Sequence, residues 1–236
     1  MTGPVLENLR GGLIVSCQAE AGMPLGSPEV LAALAAAAER GGAAGIRANG
    51  PQNLAAICAA VRVPVIAIYK VVSPDSDVYI TPTFEAARQA YAACEPPPAI
   101  LAFDATPRPR PGGEDWRTLL GRIKTELGAL AMADISTLEE GLAAADAGAD
   151  LVATTLSGYT PYTATRRASG DPDLDLVRQL VARISVPVIC EGRVHSPEQA
   201  RAALEAGAFA VVVGTAITAI DWVTRRYVEA LKSTQG

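Results

Sequence analysis

Eight short apolar runs recur along this chain, each separated from the next by a stretch long enough for a helix. They lie at 13–17, 45–47, 65–69, 100–103, 129–133, 151–154, 188–190 and 210–213. Most are continuous in apolar character rather than alternating. Strands of that kind are covered on both faces, the condition of a parallel sheet. The stretches at 28–40, 51–61, 83–93, 116–127, 137–147, 174–184 and 197–206 read as helices, and 222–232 as a last one. Capping chemistry opens several of them: Ser27-Pro28, Ser136-Thr137 with Glu139, and Ser196-Pro197. Glycine closes others, at Gly41, Gly148 and Gly207.

Strand and helix in strict alternation predict an α/β protein, and eight units predict a single (β/α)8 TIM barrel. Internal similarity supports the count. Val61-Arg-Val-Pro64-Val-Ile66 resembles Ile184-Ser-Val-Pro187-Val-Ile189, 123 positions later. At roughly 30 residues per βα unit that is four units, half of an eight-unit barrel. Ala147-Gly-Ala-Asp150 and Ala206-Gly-Ala-Phe209 mark one recurring helix-to-strand junction. With 236 residues, the chain is close to the roughly 250 typical of this fold. No linker interrupts it, so 1–236 is read as one domain. An open doubly wound sheet is the rival. It favours a glycine-rich first turn, and the turn here, Cys17-Gln18-Ala19-Glu20, has none.

A net charge of −5 lacks the positive field that polyanions need, so nucleic acid is not an expected partner. A small phosphate ester needs only local positive groups. Cys17, Cys58, Cys94 and Cys190 form no CxxC pair and are expected as buried, reduced thiols of a cytoplasmic protein. With one histidine, His195, no ordinary zinc site is expected. His195 itself reads as a loop or capping residue. The start, Met1-Thr2-Gly3-Pro4, lacks the pattern of a signal peptide, and no apolar run approaches the ~18 residues of a membrane span.

Barrel chemistry gathers just after each strand. That rule selects Ser16 and Gln18, Arg47 and Asn49, Lys70, Asp104 and Thr106, Asp134, Thr155 and Tyr159, Glu191 and Arg193, and Gly214 and Thr215, in strand order. Lys70 and Glu191 are the acid/base candidates. Asp104 and Asp134 could orient a lysine or bind sugar hydroxyls. The turns Glu191-Gly192-Arg193 and Gly214-Thr215-Ala216 end strands seven and eight. Barrels commonly hold phosphate there, with backbone N–H groups and a short helix N-terminus. Gly192, Arg193, Gly214 and Thr215 are therefore the expected phosphate site, with the short helix starting near Ala216.

With these residues in view, the chain resembles the N-acetylmannosamine-6-phosphate 2-epimerase family. The matching segments are Gly12-Leu-Ile-Val-Ser-Cys-Gln18, Gly45-Ile-Arg-Ala-Asn49, Ser76-Asp-Val-Tyr-Ile-Thr81, Phe103-Asp-Ala-Thr106, Met132-Ala-Asp-Ile135, Thr154-Thr-Leu-Ser-Gly-Tyr-Thr160, Glu191-Gly192 and Val213-Gly-Thr-Ala-Ile-Thr218. They span nearly the whole chain in family order. The resemblance implies a (β/α)8 barrel that interconverts N-acetylmannosamine 6-phosphate and N-acetylglucosamine 6-phosphate in sialic acid and amino-sugar breakdown. It implies no metal and no organic cofactor. The family's catalytic lysine falls on Lys70 and its essential glutamate on Glu191, while Gln18, Arg47 and Asp134 match substrate-contact positions. Family members are often dimers, which points to a homodimer. Two positions depart: Val71 follows Lys70 where the family often has arginine, and Ala219 stands where the family often has a phosphate-holding arginine.

Epimerisation at C2 fits these residue types. In the open-chain sugar C2 lies next to an aldehyde, so its proton is acidic. Lys70 is the expected C2 base, with Glu191 assisting ring opening and proton delivery. Arg47 and Gln18 are expected to steady the developing oxyanion and the acetamido group. Two rivals stay open: an aldolase-type lyase using Lys70 as a Schiff base, and a sugar-phosphate sensor without catalysis.

Overall fold

The computed structural model describes residues 3–19 and 22–232. Met1, Thr2 and Glu20, which entered the sequence reading, lie outside the described residues. The strands are β1 (Leu13–Cys17), β2 (Gly45–Asn49), β3 (Val65–Ile68), β4 (Ile100–Asp104), β5 (Leu130–Asp134), β6 (Leu151–Ala153), β7 (Val188–Glu191) and β8 (Ala210–Val213). All pair in parallel and close as β1-β2-β3-β4-β5-β6-β7-β8, with β8 returning to β1 through Leu13↔Val211. The predicted TIM barrel is present, and the repeated Val-Pro-Val-Ile segments lead into β3 and β7, on opposite sides of it.

The helices are α1 (Gly3–Leu9), α2 (Pro28–Arg40), α3 (Pro51–Ala60), α4 (Phe84–Ala92), α5 (Trp116–Arg122), α6 (Leu138–Asp146), α7 (Leu174–Val181), α8 (Pro197–Glu205), α9 (Thr215–Thr218) and α10 (Ile220–Lys232). Ser27, Thr83, Asp115, Thr137, Asp173 and Ser196 accept N-terminal N–H groups that have no partner within the helix. The capping box at α6 uses Glu140 rather than Glu139, because the helix opens at Leu138 and its third position is Glu140. The stretch expected as one helix over 116–127 changes at Ile123 to a π turn, which ends at Gly128 with φ +69°.

Two apolar layers hold the barrel. Ile14, Ile66, Ile100, Met132, Leu151 and Ile189 fill its interior. Val15, Ile46, Leu101, Ala133, Val152 and Val211 face the helices. The alternation along each strand is thus apolar on both sides, which explains the unbroken runs in the sequence. Helix α1 was not among the predicted elements. It carries Leu9, fully buried, to the interior cluster. A Cβ at Gly45 would lie 2.7 Å from Leu9 Cδ2, so glycine at the start of β2 leaves room for this plug.

Cys58 and Cys94 depart from the expected four reduced thiols. They are joined as a disulfide between α3 and the end of α4, with Cα atoms 5.8 Å apart. Packing of these neighbouring helices brings together two positions that the sequence separates by 36. Cys17 and Cys190 are free and buried, and burial pushes their thiols up to about 11 and about 12. Among the described residues, no helix is long and apolar enough to cross a membrane.

At the mouth, β3 and β4 pair only through Ile66↔Ile100 and Ala67↔Leu101. The segment 78–81 fills the gap beyond. Asp104 N–H donates to Ile80 O at 3.0 Å and Thr81 N–H to Tyr69 O at 2.9 Å. Thr81 has φ +43°, uncommon for a β-branched residue. Its hydroxyl donates to Ala102 O at 2.7 Å and accepts from Tyr69 N–H at 3.1 Å. Those bonds hold the strained backbone in place and bring Tyr79 and Ile80 to the barrel mouth.

Candidate active site

A cavity of about 920 Å³ opens at the C-terminal ends of the strands. Its wall includes Gln18, Lys70, Tyr159 and Glu191, together with all four expected phosphate residues, Gly192, Arg193, Gly214 and Thr215. Tyr79, Thr155, His195 and Ala219 line it as well.

Arg47 and Asp134 lie beneath this lining. Arg47 is 1% exposed and Asp134 fully buried. Each is placed by its strand, since a side chain on the inward register of β2 or β5 points to the barrel axis. Arg47 Nη1 donates to Asp134 Oδ1 at 3.1 Å and Nη2 to Oδ2 at 2.5 Å. The same Nη1 donates to Glu191 and, at 3.3 Å, to Thr155 Oγ1. Thr155 in turn donates to Asp134 Oδ1 at 2.6 Å. One cation thus faces two carboxylates, in a site with little water. Burial pushes the Glu191 carboxyl up, Arg47 pulls it back, and Asp134 pushes it up again. Burial opposes the charge of Arg47, but Asp134 and Glu191 outweigh it and its proton is held more tightly than usual.

Lys70 lies two residues beyond β3, after Tyr69. Its N–H donates to Asn49 Oδ1 at 2.8 Å, and it bridges to Ile80. It is exposed. Gln18 Nε2 donates to Ser16 Oγ at 2.8 Å, and its Oε1 is buried without a hydrogen-bond partner.

Asp104, expected as a substrate contact, lies outside the cavity wall, as Arg47 and Asp134 do. It is fully buried and faces the loop that follows β4. Its Oδ1 accepts from Thr106 N–H at 2.9 Å and from the Thr106 hydroxyl at 2.7 Å. Its Oδ2 accepts from Arg108 at 2.5 Å. Burial raises this carboxyl, against the pull of Arg108.

Arg193 lines the cavity, and its guanidinium donates to Asp171 O at 2.7 Å and to Ser157 O. Those bonds tie the segment after β6 to the turn after β7. Gly192 and Arg193 have φ of +108° and +57°, so this turn presents backbone to the cavity while the Arg193 side chain anchors a loop. The neighbouring turn at Gly214 is equally tight, since a Cβ there would lie 3.2 Å from Ser16 Cβ. Helix α9 begins at Thr215, one residue before the expected start. Thr218 Oγ1 donates to Ser16 O at 3.0 Å and closes this corner. His195 is part loop, part wall: its N–H donates to Gln199 Oε1, and its ring lies 4.8 Å from that of Trp222.

Sequence reasoning selected Thr155 only by its place after a strand, and gave no role to Tyr79 or Arg108. Thr155 and Thr106, the partner of Arg108, do fall at strand ends, and Tyr79 lies within one of the family-like segments.

Residues 31–233 match a family model described as "Putative N-acetylmannosamine-6-phosphate epimerase". A relative from Synechococcus elongatus with the corresponding 2-epimerase description is 48% identical over 230 residues, 97% of each chain. One from Clostridium perfringens, described alike, is 44% identical over 229 residues, 97% of this chain and all of that one. The solved N-acetylmannosamine-6-phosphate 2-epimerase of Clostridium perfringens superimposes with a TM-score of 0.90 at 43% identity, covering 95% of each chain. Matches of this identity over nearly the whole chain show that it belongs to the N-acetylmannosamine-6-phosphate epimerase family.

Proposed function

We propose that this protein inverts C2 of N-acetylmannosamine 6-phosphate to give N-acetylglucosamine 6-phosphate, and the reverse, in sialic acid and amino-sugar breakdown. The observation that carries the reading is one cavity lined by both Lys70 and Glu191, with a cation fixed beneath. An epimerase without a redox step needs a base, a proton donor and a countercharge for the enediolate, and these are such groups.

In this reading the open-chain aldehyde lies across the cavity, and Lys70 removes the C2 proton. The electron pair moves into the C1–C2 bond and the aldehyde oxygen becomes an oxyanion. A proton returned to the opposite face of C2 inverts it, and the C1 carbonyl reforms. Glu191 serves ring opening and proton delivery. A lysine gives up its proton more readily when dehydrated; Lys70 is exposed, so the bound sugar supplies that dehydration. Arg47 and Asp134 act from below, as fixed charges that hold Glu191. Gln18 offers its buried Oε1 to the acetamido N–H, and Tyr159 forms part of the sugar's wall. The turns at Gly192 and Gly214–Thr215 hold the phosphate through backbone N–H groups.

Two further parts belong to this reading. A charged sugar phosphate does not cross a bilayer unaided, so the enzyme is assigned to the cytoplasm with its substrate. A homodimer is assigned on the apolar face of α10, where Ile220 and Tyr227 are 59% and 71% exposed and Val228 lies beside them. Sedimentation of the purified protein tests the second.

Incubation with N-acetylmannosamine 6-phosphate in D2O, followed by NMR, tests the function. Deuterium should enter C2 as the second epimer forms. Binding without exchange would leave a sensor, and a borohydride-trapped adduct would leave a Schiff-base enzyme.

A further inference from the structure

Thr154 and Thr155 follow β6 directly, and both hydroxyls turn to Glu191 and its partners. The β6–β7 ladder pairs Val152 with Val188 and Ala153 with Ile189, then stops. Beyond it the Thr154 side chain takes over. Its hydroxyl donates to Glu191 O at 3.0 Å and accepts from Glu191 N–H at 3.1 Å. That satisfies both backbone groups of Glu191 from one fully buried side chain. Thr155 deals with the carboxylates. It has one proton to give, and it gives it to Asp134 at 2.6 Å while accepting from Arg47 at 3.3 Å. Glu191 shares that same Arg47 nitrogen.

We infer that Thr155 is a positioning residue that ties Asp134 to Arg47 beneath the cavity and leaves Glu191 as the carboxyl free to exchange its proton. The argument is one of count. Two carboxylates face one guanidinium, and two like charges at one site resist ionising together. The Thr155 hydroxyl serves Asp134 Oδ1, the same oxygen that Arg47 Nη1 reaches, so that this nitrogen remains shared with Glu191. Asp134 also holds two Arg47 bonds, so the hydroxyl acts in the same sense as the cation.

Around Glu191 stand Arg47 of β2 and Asp134 of β5, and the cavity wall adds Lys70, Tyr159, Arg193 and His195. Of these, the first two touch Thr155. Losing its hydroxyl removes a donor from Asp134 Oδ1, which then draws more on the Arg47 Nη1 that Glu191 shares. With less of that pull Glu191 should ionise at higher pH.

The inference rests on Glu191 as the proton-transfer group. The test is the pH profile of kcat and KM for the wild type and for T155V, T155S and T155A, with folding checked by thermal melts. T155V keeps the shape and loses the hydroxyl; T155S keeps the hydroxyl and loses the methyl. The expected result for T155V is an acid limb displaced upward by about one pH unit and kcat reduced about 10- to 100-fold, the loss of one hydrogen bond to a charged group, with KM little changed. T155S should keep the wild-type profile. Should T155V fail to fold, T155A against T155S isolates the same hydroxyl in a smaller side chain, with the same displacement expected. A T155V or T155A profile that overlays its hydroxyl-bearing counterpart overturns the inference. So does a T155S profile displaced as far as T155V, since packing would then be the cause. Failure of the wild type itself to exchange C2 hydrogen would instead sink the epimerase reading, so the two failures are distinguishable.

Discussion

Arg47 and Asp134 meet as a fork on a fork beneath the cavity floor, at 3.1 and 2.5 Å, with neither side chain open to water. The pair joins β2 to β5 across the barrel axis, two strands that do not neighbour one another in the sheet. A planar guanidinium can satisfy both oxygens at once while its Nη1 also reaches Glu191. The consequence is that a single residue serves the barrel's stability and the charge of Glu191, the proposed proton-transfer group.

Arg47→Ala should therefore cost stability as well as turnover. Removing one partner of a buried pair leaves the other charge unpaired, at a cost of about 3–5 kcal/mol. Arg47→Lys keeps the charge but not the fork. It should recover much of the stability and little of the activity. Thermal melts and steady-state rates on both variants check this, and equal recovery of both by lysine would mean that charge alone matters.

Lys70→Ala should abolish deuterium entry at C2 and leave the barrel folded. Lys70 is exposed at the mouth, and its backbone links to Asn49 and Ile80 do not depend on its side chain. Loss of a general base typically lowers the rate ~10²- to 10⁴-fold. Near-normal exchange in the variant would remove Lys70 from the reaction.

The pH dependence of Glu191 gives a prediction with a definite sign. Burial raises its carboxyl above the unfolded value, against the pull of Arg47 and with the push of Asp134. The fold thus favours its protonated form. That contribution to stability is fully present below the unfolded pKa and is lost as pH rises through the higher folded one. Glu191→Gln cannot ionise, and its amide oxygen can still accept from Arg47. On raising the pH from about 4.5, the wild type should lose stability relative to this variant. Melting temperatures of the pair across pH would show it, and a difference that grows in favour of the wild type would contradict it. The variant should still bind the sugar phosphate while losing most turnover.

Much of this was legible in the sequence, for identifiable reasons. Strands covered on both faces are written as apolar runs, so all eight could be found. Helix α1 could not. It is seven residues long, and its one buried side chain, Leu9, gains its meaning only from the barrel that it plugs. The strand-end rule brought Lys70, Glu191 and Gln18 to one cavity, because position along a strand fixes which end a residue occupies. It does not fix depth or direction. Arg47 and Asp134 lie on inward registers and fall below the lining. Asp104 pairs with Asp134 and shares its inward register, but its carboxylate is taken up by Thr106 and Arg108 of its own loop. The direction of the Arg193 side chain was equally unwritten, since it depends on where the carbonyls of Ser157 and Asp171 fold. Thr81 has a backbone conformation that its residue type disfavours, so only the assembled mouth explains it.

Ala219 bears on how the phosphate is held. It lies at the end of α9 and lines the cavity beside the Gly192 and Gly214 turns. No side-chain cation stands at that position, and the Arg193 guanidinium is engaged with two loop carbonyls. Backbone N–H groups of the two turns are left as the main donors in the proposed site, aided by the first turn of α9. A charge-assisted hydrogen bond is worth roughly 1.5–3 kcal/mol, which is about one to two powers of ten in binding. An arginine supplied at 219 should add a contact to a group remote from C2, and so equally to ground and transition states. Uniform binding of that kind lowers KM and leaves kcat alone. Ala219→Arg should therefore lower KM for the 6-phosphate by about tenfold with little change in kcat, and should do nothing for unphosphorylated N-acetylmannosamine. The wild type should itself prefer the phosphorylated sugar by a wide margin in kcat/KM. Equal efficiency of the wild type on both sugars would mean that the turns after β7 and β8 hold something other than phosphate, and that Ala219 marks a change of substrate.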